Sequence, residues 1–324
     1  MKIAVGAGVG AACLWLTFRG TDLAAVAGML ARARWSPVVV AVLLVAATVI
    51  VVARRWQLLV DRAAPAGRLP PFVSAVVVGQ MLNVLLPIRL GEAVRAYWIG
   101  CAEQQPIARV FAALLLERFA DVVVLALGIV LLLVDLSLPP WARRSGLAAL
   151  ALSAVALAAA AAAARWGPAV VRRLERPVPL LAHRLRRVFA AEGGMAVDEL
   201  RALGDWRASG RVWTLSLLIV ALAVATNYVL FSALGLALPP AIALMLFVVL
   251  QVGVAPASTP GNLGVFHYLV VLVLTGFDVD RAAAVAYAVV LHAVAYGPKI
   301  VCGALIMAMR DTPVFDRAAW VRTA

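Results

Sequence analysis

Gly79-Gln80-Met81-Leu82-Asn83-Val84-Leu85-Leu86-Pro87-Ile88-Arg89-Leu90-Gly91-Glu92-Ala93-Val94-Arg95 starts as an apolar membrane segment and breaks at Pro87. It then continues as a short stretch carrying Arg89, Glu92 and Arg95. A plain spanning helix needs no such break. Inside a bilayer, interrupted helix is tolerated where protein or a water-lined cavity satisfies the freed backbone groups. The pattern returns far down the chain: Pro87-Ile88-Arg89-Leu90-Gly91 is matched by Pro260-Gly261-Asn262-Leu263-Gly264. Both read P-x-x-L-G, and both follow a lone glutamine in an apolar run, Gln80 and Gln251. Matched breaks in two halves of a membrane protein point to a transporter-like site at the breaks, with Pro87, Gly91, Pro260, Gly261 and Gly264 as hinges.

The rest of the chain agrees. Of 324 residues 65% are hydrophobic, and the mean hydropathy is +1.00, well above a soluble domain. The net charge is +13. Its arginines sit between apolar runs, which fits a cytoplasmic skirt facing anionic inner-leaflet lipids and excludes a nucleic-acid-binding surface. Cys13, Cys101 and Cys302 are scattered and read as packing residues. With no clustered ligands, no Cys-x-x-Cys, no H-E-x-x-H and no Gly-rich nucleotide loop, neither metal nor cofactor is expected.

Spans need about 20 apolar residues. The expected ones are 3–18, 37–58, 107–134, an alanine-rich 147–164, 212–235 and 281–309. The broken pairs are 71–88 with 90–100, and 240–255 with 263–276. The first run has no small-residue cleavage site after it and reads as a retained span. Residues 165–211 hold ten arginines and are expected as a cytoplasmic loop. Within it Leu180, Leu181, Leu185, Val188 and Phe189 alternate with Arg184, Arg186 and Arg187, which reads either as an amphipathic surface helix or as a solvated linker with topological charges, and Trp166, Trp206 and Trp213 are expected at the interface. Residues 310–324 form a tail. The charge asymmetry puts both termini in the cytoplasm of a multi-pass cell-membrane protein. It also gives two span–hairpin–span units, 1–164 with the hairpin 71–100 and 212–309 with the hairpin 240–276, in opposite orientation. The expected fold is therefore an all-α polytopic protein built as an inverted-topology repeat in one membrane domain.

Ionisable groups within spans are the functional candidates. Arg89, Glu92 and Arg95 share one helical face. They read either as arginines for a lipid phosphate, oriented by Glu92, or as a salt bridge closing a re-entrant turn. Glu117 and Asp121 lie four apart with Arg118 between them, either a carboxylate pair facing a cavity or an ion-pair network that fixes helix packing. His292, Tyr296 and Lys299 form a stripe at i, i+4 and i+7: a cavity wall, or two interhelical hydrogen bonders beside a lysine snorkelling to the interface. Ser258, Thr259, Asn262 and His267 decorate the second break, and Asn83, Gln80, Gln251 and Asn227 are further polar groups at depth.

Four stretches together carry a family likeness: Ala53-Arg54-Arg55-Trp56-Gln57-Leu58-Leu59, Leu82 to Arg95, Leu116-Glu117-Arg118-Phe119-Ala120-Asp121, and Pro256 to Val265. In order and spacing the chain resembles the flippase-like membrane domain of lysylphosphatidylglycerol synthetases. The resemblance implies transport, rather than synthesis, of a polar-headgroup lipid, anionic or aminoacylated, phospholipid or isoprenoid. No aminoacyl-transfer domain follows Ala324, so a separate lipid-modifying enzyme is an expected partner, and a homo-oligomer is left open. Two readings from other classes stand beside it: a membrane transferase acting on a lipid carrier, and a non-catalytic partner of a lipid-synthesis enzyme. The chain departs from the family's P-G-G-x-G-x-x-E pattern, with Asn262 for the second glycine and His267 for the glutamate.

Overall fold

The structure, a computed structural model, describes residues 2–60, 68–86, 90–103, 107–134, 138, 140–174, 206–254 and 259–309. Pro87, Arg89, Ser258, the middle of the arginine-rich loop and the tail lie outside these residues, as do the side chains of Trp166 and Trp206. Among the described residues eleven α-helices run in order: α1 (Lys2–Phe18), α2 (Leu23–Ala31), α3 (Trp35–Val60), α4 (Leu69–Leu85), α5 (Gly91–Ala102), α6 (Ile107–Val134), α7 (Pro140–Leu174), α8 (Trp206–Ala233), α9 (Pro240–Val254), α10 (Val265–Thr275) and α11 (Arg281–Met309). A 3-10 turn, Pro260–Asn262, precedes α10, and no strand occurs among the described residues. Trp35–Val60, Ala142–Ala159, Ser209–Ala233 and Arg281–Met309 are long and apolar enough to cross a bilayer. Helix α6 has 28 residues, about 42 Å at 1.5 Å per residue, and carries charges in its interior. The chain is a multi-pass, all-α membrane protein.

Both broken pairs appear as two short helices, α4–α5 and α9–α10, close to their expected bounds. Three boundaries differ. Helix α3 continues past the expected end at residue 58 to Val60, which leaves Arg54 and Arg55 within the helix. Helices α7 and α8 extend to Leu174 and back to Trp206, so both described ends of the 165–211 loop are helical. Helix α2 was not anticipated: Asp22 caps it, accepting from the Ala24 and Ala25 amides at 2.9 and 3.1 Å, and capping stabilises a turn too short to stand on propensity.

Neighbouring helices pack in a regular order. Helix α3 lies along α8, with the Arg34 amide donating to Ala233 O (2.8 Å) at one end and Arg55 Nη1 donating to Ser216 Oγ (2.9 Å) towards the other. The two therefore run antiparallel. Helix α4 packs on α11 and α9 on α6; α3 packs on α11 and α8 on α6. Exchanging α3–α6 for α8–α11 maps each of these contacts onto another. Arg281 at the start of α11 donates to Leu16 O (2.5 Å) and Thr21 Oγ1 (3.2 Å), fastening α11 to the end of α1.

The glycine of each P-x-x-L-G motif sits where two backbones close. A Cβ on Gly91 would stand 2.0 Å from Gly79 O and 2.6 Å from Asn83 Oδ1. A Cβ on Gly264, whose φ is +85°, would stand 2.0 Å from Gly10 O. Gly91→Ala and Gly264→Ala are therefore expected to lower stability by at least the roughly 1–3 kcal/mol of an overpacked core. Gly297→Ala, with nothing within 4 Å of the added Cβ, is expected to leave it unchanged or raise it slightly. Thermal melts of the detergent-purified variants distinguish these outcomes.

Candidate functional site

Six charges from three helices close into a ring. Arg55 (α3) reaches Glu117 (α6) at 3.4 Å. Glu117 accepts from Arg95 (α5) at 3.0 Å, and Arg95 meets Glu92, one turn earlier on α5, at 3.6 Å. Glu92 accepts from Arg118 (α6) at 2.6 Å. Arg118 reaches Asp121 at 3.1 Å, and Asp121 returns to Arg55 at 2.7 Å. Each arginine touches two carboxylates and each carboxylate two arginines. Arg55, Arg95 and Glu117 are almost fully buried, whereas the Arg118 side chain is about half exposed. Beneath the ring the Arg95 guanidinium lies over the Trp56 ring at 4.4 Å, and Trp56 meets Phe72 edge-on at 5.2 Å.

The local sequence explains how α5 brings its two charges there. The Gly91 amide, the first of α5, donates to Asn83 Oδ1 at 2.8 Å. One side chain of α4 thus satisfies the backbone freed by the break. Glycine at 79 and 91 lets the two helices approach until the Arg95 stem lies against Gly79. Arg95 accordingly points at Glu117 rather than standing free at the break, and the Gly91 amide is already bonded.

The ring forms one wall of a cavity of about 330 Å³. Of the expected site residues, Asn83, Glu92, Arg95, Glu117, Arg118, Asp121, Tyr296 and Lys299 line it. So do Gln80, Gln251 and Asn227, the polar groups noted at depth. Arg55 and Ser216 also line it, and sequence reasoning did not place either among the site residues. The signal for Arg55 was present in the Arg-Arg-Trp stretch, but an arginine near a span's end reads first as an interfacial charge.

Thr259, Asn262, His267 and His292 gather beside the cavity instead, around the second break. His292 Nε2 lies 2.9 Å from Gly261 O, and Asn262 Nδ2 donates to Tyr296 Oη at 3.1 Å. The His267 and His292 rings stack 4.7 Å apart, and Phe266 meets His267, His292 and Tyr296 edge-on. Asn262 has φ +53°, a left-handed conformation that asparagine tolerates better than other residues bearing a Cβ. That accounts for Asn262 where the resemblance calls for glycine.

Removing one member of a buried ion pair leaves its partner uncompensated, at about 3–5 kcal/mol. Glu117→Gln is expected to lose stability on that scale because two guanidiniums depend on it. Arg118→Ala, at the exposed edge of the ring, is expected to lose only about 1 kcal/mol. Denaturation midpoints of the two variants, with an Arg95/Glu117 double-mutant cycle to isolate the buried pair, measure the difference.

The comparisons with known proteins agree with this architecture. No curated protein matches the chain. The family described as lysylphosphatidylglycerol synthase TM region matches residues 3–303, a span containing both broken pairs, the ring and the cavity. The chain is a lipid-related multi-pass membrane protein that belongs to the lysylphosphatidylglycerol synthase TM-region family.

Proposed function

We propose that the chain is a lipid flippase of the cell membrane: it takes the polar headgroup of a lipid into the ring-walled cavity and carries it across the bilayer while the hydrocarbon chains stay in the apolar phase. One observation carries this reading. The polar cavity adjoins an apolar groove of about 550 Å³ between α6, α8 and α9, and Val124 and Val220 line both. Along the groove, Leu127, Leu131, Leu217 and Tyr228 are exposed. A charged chamber that adjoins an apolar groove fits an amphipathic ligand, and neither compartment alone does.

The exchange relation between α3–α6 and α8–α11 supports an inverted repeat, and the short paired helices support re-entrant hairpins entering from opposite faces. The cavity draws lining from both halves, as expected where two repeats rock about a shared site. Both termini are then cytoplasmic, with the arginine-rich loop against anionic lipid. Family membership supports the lipid as cargo class.

Two measurements test this. In liposomes containing acyl-labelled fluorescent phosphatidylglycerol, the wild-type protein is expected to expose inner-leaflet label to an impermeant quencher faster than protein-free vesicles do. Val220→Trp, which fills the passage between cavity and groove, is expected to slow it several-fold. No acceleration with anionic, zwitterionic and aminoacylated lipids alike would remove the transport reading. Single cysteines at Leu86 and Leu263, in a background lacking Cys13, Cys101 and Cys302, are expected to label from opposite faces; labelling from one face would remove the inverted repeat.

A further inference from the structure

Among the described residues, seven charged side chains line the cavity: Arg55, Arg95, Arg118, Glu92, Glu117, Asp121 and Lys299. The ring pairs the first six, three cations with three anions. Lys299 is left. No described carboxylate pairs with it, and its nearest charge-related contact is the face of Tyr296, 5.9 Å from Nζ to the ring centroid. A cation inside a membrane protein is costly without a counter-charge, and this one lines the same chamber as the ring.

Snorkelling does not account for it. Gly303, one turn beyond Lys299, packs on Met81. Met81 lies twelve residues into α4, about 18 Å along that helix. Lys299 stands one turn further from the end of α11 and lines the cavity, so its four-carbon stem is directed there. Around it the chamber offers the neutral amides of Gln80 and Asn83, and Gln80 Oε1 has no partner among the described residues.

We infer that Lys299 binds the phosphodiester of a lipid headgroup and that the preferred cargo carries one net negative charge. The inference rests on the lipid-binding reading above and names its substrate class. The ring is neutral as a unit and closed on itself, so it sets the field of the chamber without offering a free guanidinium. With Lys299 the chamber is one charge positive. A monoanionic lipid neutralises it, a zwitterionic one leaves it unchanged, and a headgroup made cationic by an amino acid adds to it. A lysine also suits a cargo that must leave. Its ammonium is a point charge with rotatable donors, lacking the rigid fork by which arginine holds phosphate in two parallel bonds.

The test uses the full chain in nanodiscs of phosphatidylcholine and follows displacement of an acyl-labelled phosphatidylglycerol. The wild type is expected to favour phosphatidylglycerol over phosphatidylcholine and over lysyl-phosphatidylglycerol. Lys299→Gln is expected to weaken phosphatidylglycerol binding about tenfold or more, the scale of one hydrogen bond to a charged group. It should leave phosphatidylcholine binding unchanged and the melting temperature unchanged or higher. Lys299→Arg is expected to keep the preference. An unchanged preference in Lys299→Gln, or equal loss of all three lipids, overturns the assignment. Glycerophosphoglycerol, which has the phosphodiester but no chains, is expected to compete poorly; competition as strong as the lipid's would make the ligand a soluble anion and overturn it too. A wild type that binds none of the lipids removes the lipid-site reading itself, whereas a wild type that binds all of them without regard to charge removes only the role of Lys299.

Discussion

The ring of six alternating charges is the constraint on which the functional half of the molecule rests. Burying one ion costs several kcal/mol even after relaxation, and one well-placed partner often only breaks even. Here Glu117 lies between two guanidiniums, and Arg55 and Arg95 each span two carboxylates. A network in which every member has two partners spreads that cost and is rigid for the same reason. Its three helices are α3, α6 and the second half of the first broken pair. The break at Pro87 is therefore not a loose hinge on its far side. Two of the first five residues of α5, Glu92 and Arg95, are anchored electrostatically to α6, and Gly91 is pinned to Asn83.

The same P-x-x-L-G motif acts alike in both halves but against different partners. Gly91 closes on Gly79 of the preceding helix, whereas Gly264 closes on Gly10 of α1. A helix that begins inside a protein needs neighbours at its first turn, because its leading amides have no partners of their own. In the first half the neighbour comes from within the hairpin. In the second it is borrowed from the N-terminal helix, which explains why α1 is fixed at both levels, by Gly264 at one point and by Arg281 at another.

Much of this was legible in the residues. Hydropathy and proline placed the spans and both breaks, because the bilayer sets lengths and penalises interruptions. Spacing found the local pairs: Arg118 with Asp121 and Glu92 with Arg95 are three apart and do meet. The pairs that tie helices together were not legible. Arg95 with Glu117 and Arg118 with Glu92 are 22 and 26 residues apart, and no periodicity along one helix reports which face of another it meets. Arg55 was hidden for a different reason. It lies five residues before the end of α3, and an arginine there reads as the end of a span until the helix is seen to continue.

The two halves match in helix order but differ in chemistry, and the difference follows from how each break is satisfied. At the first break a charged ring does the work. At the second, Gly261 O meets an imidazole and Asn262 a phenol, inside a stack of Phe266, His267, His292 and Tyr296. A carboxylate in place of His267 would be buried among aromatic rings with no described cation bonded to it, which is the costly case; an imidazole can enter the same space uncharged. The chamber therefore takes its ring of charges from the first half, while the second half contributes aromatic groups and Lys299. A headgroup moving between the halves leaves a strongly polar surface for a weakly polar one. Lys299 lies on α11, one turn beyond the Tyr296 of that wall, and lines the same chamber as the ring. Among the described residues, the one charge of the chamber outside the ring thus stands where the two surfaces meet.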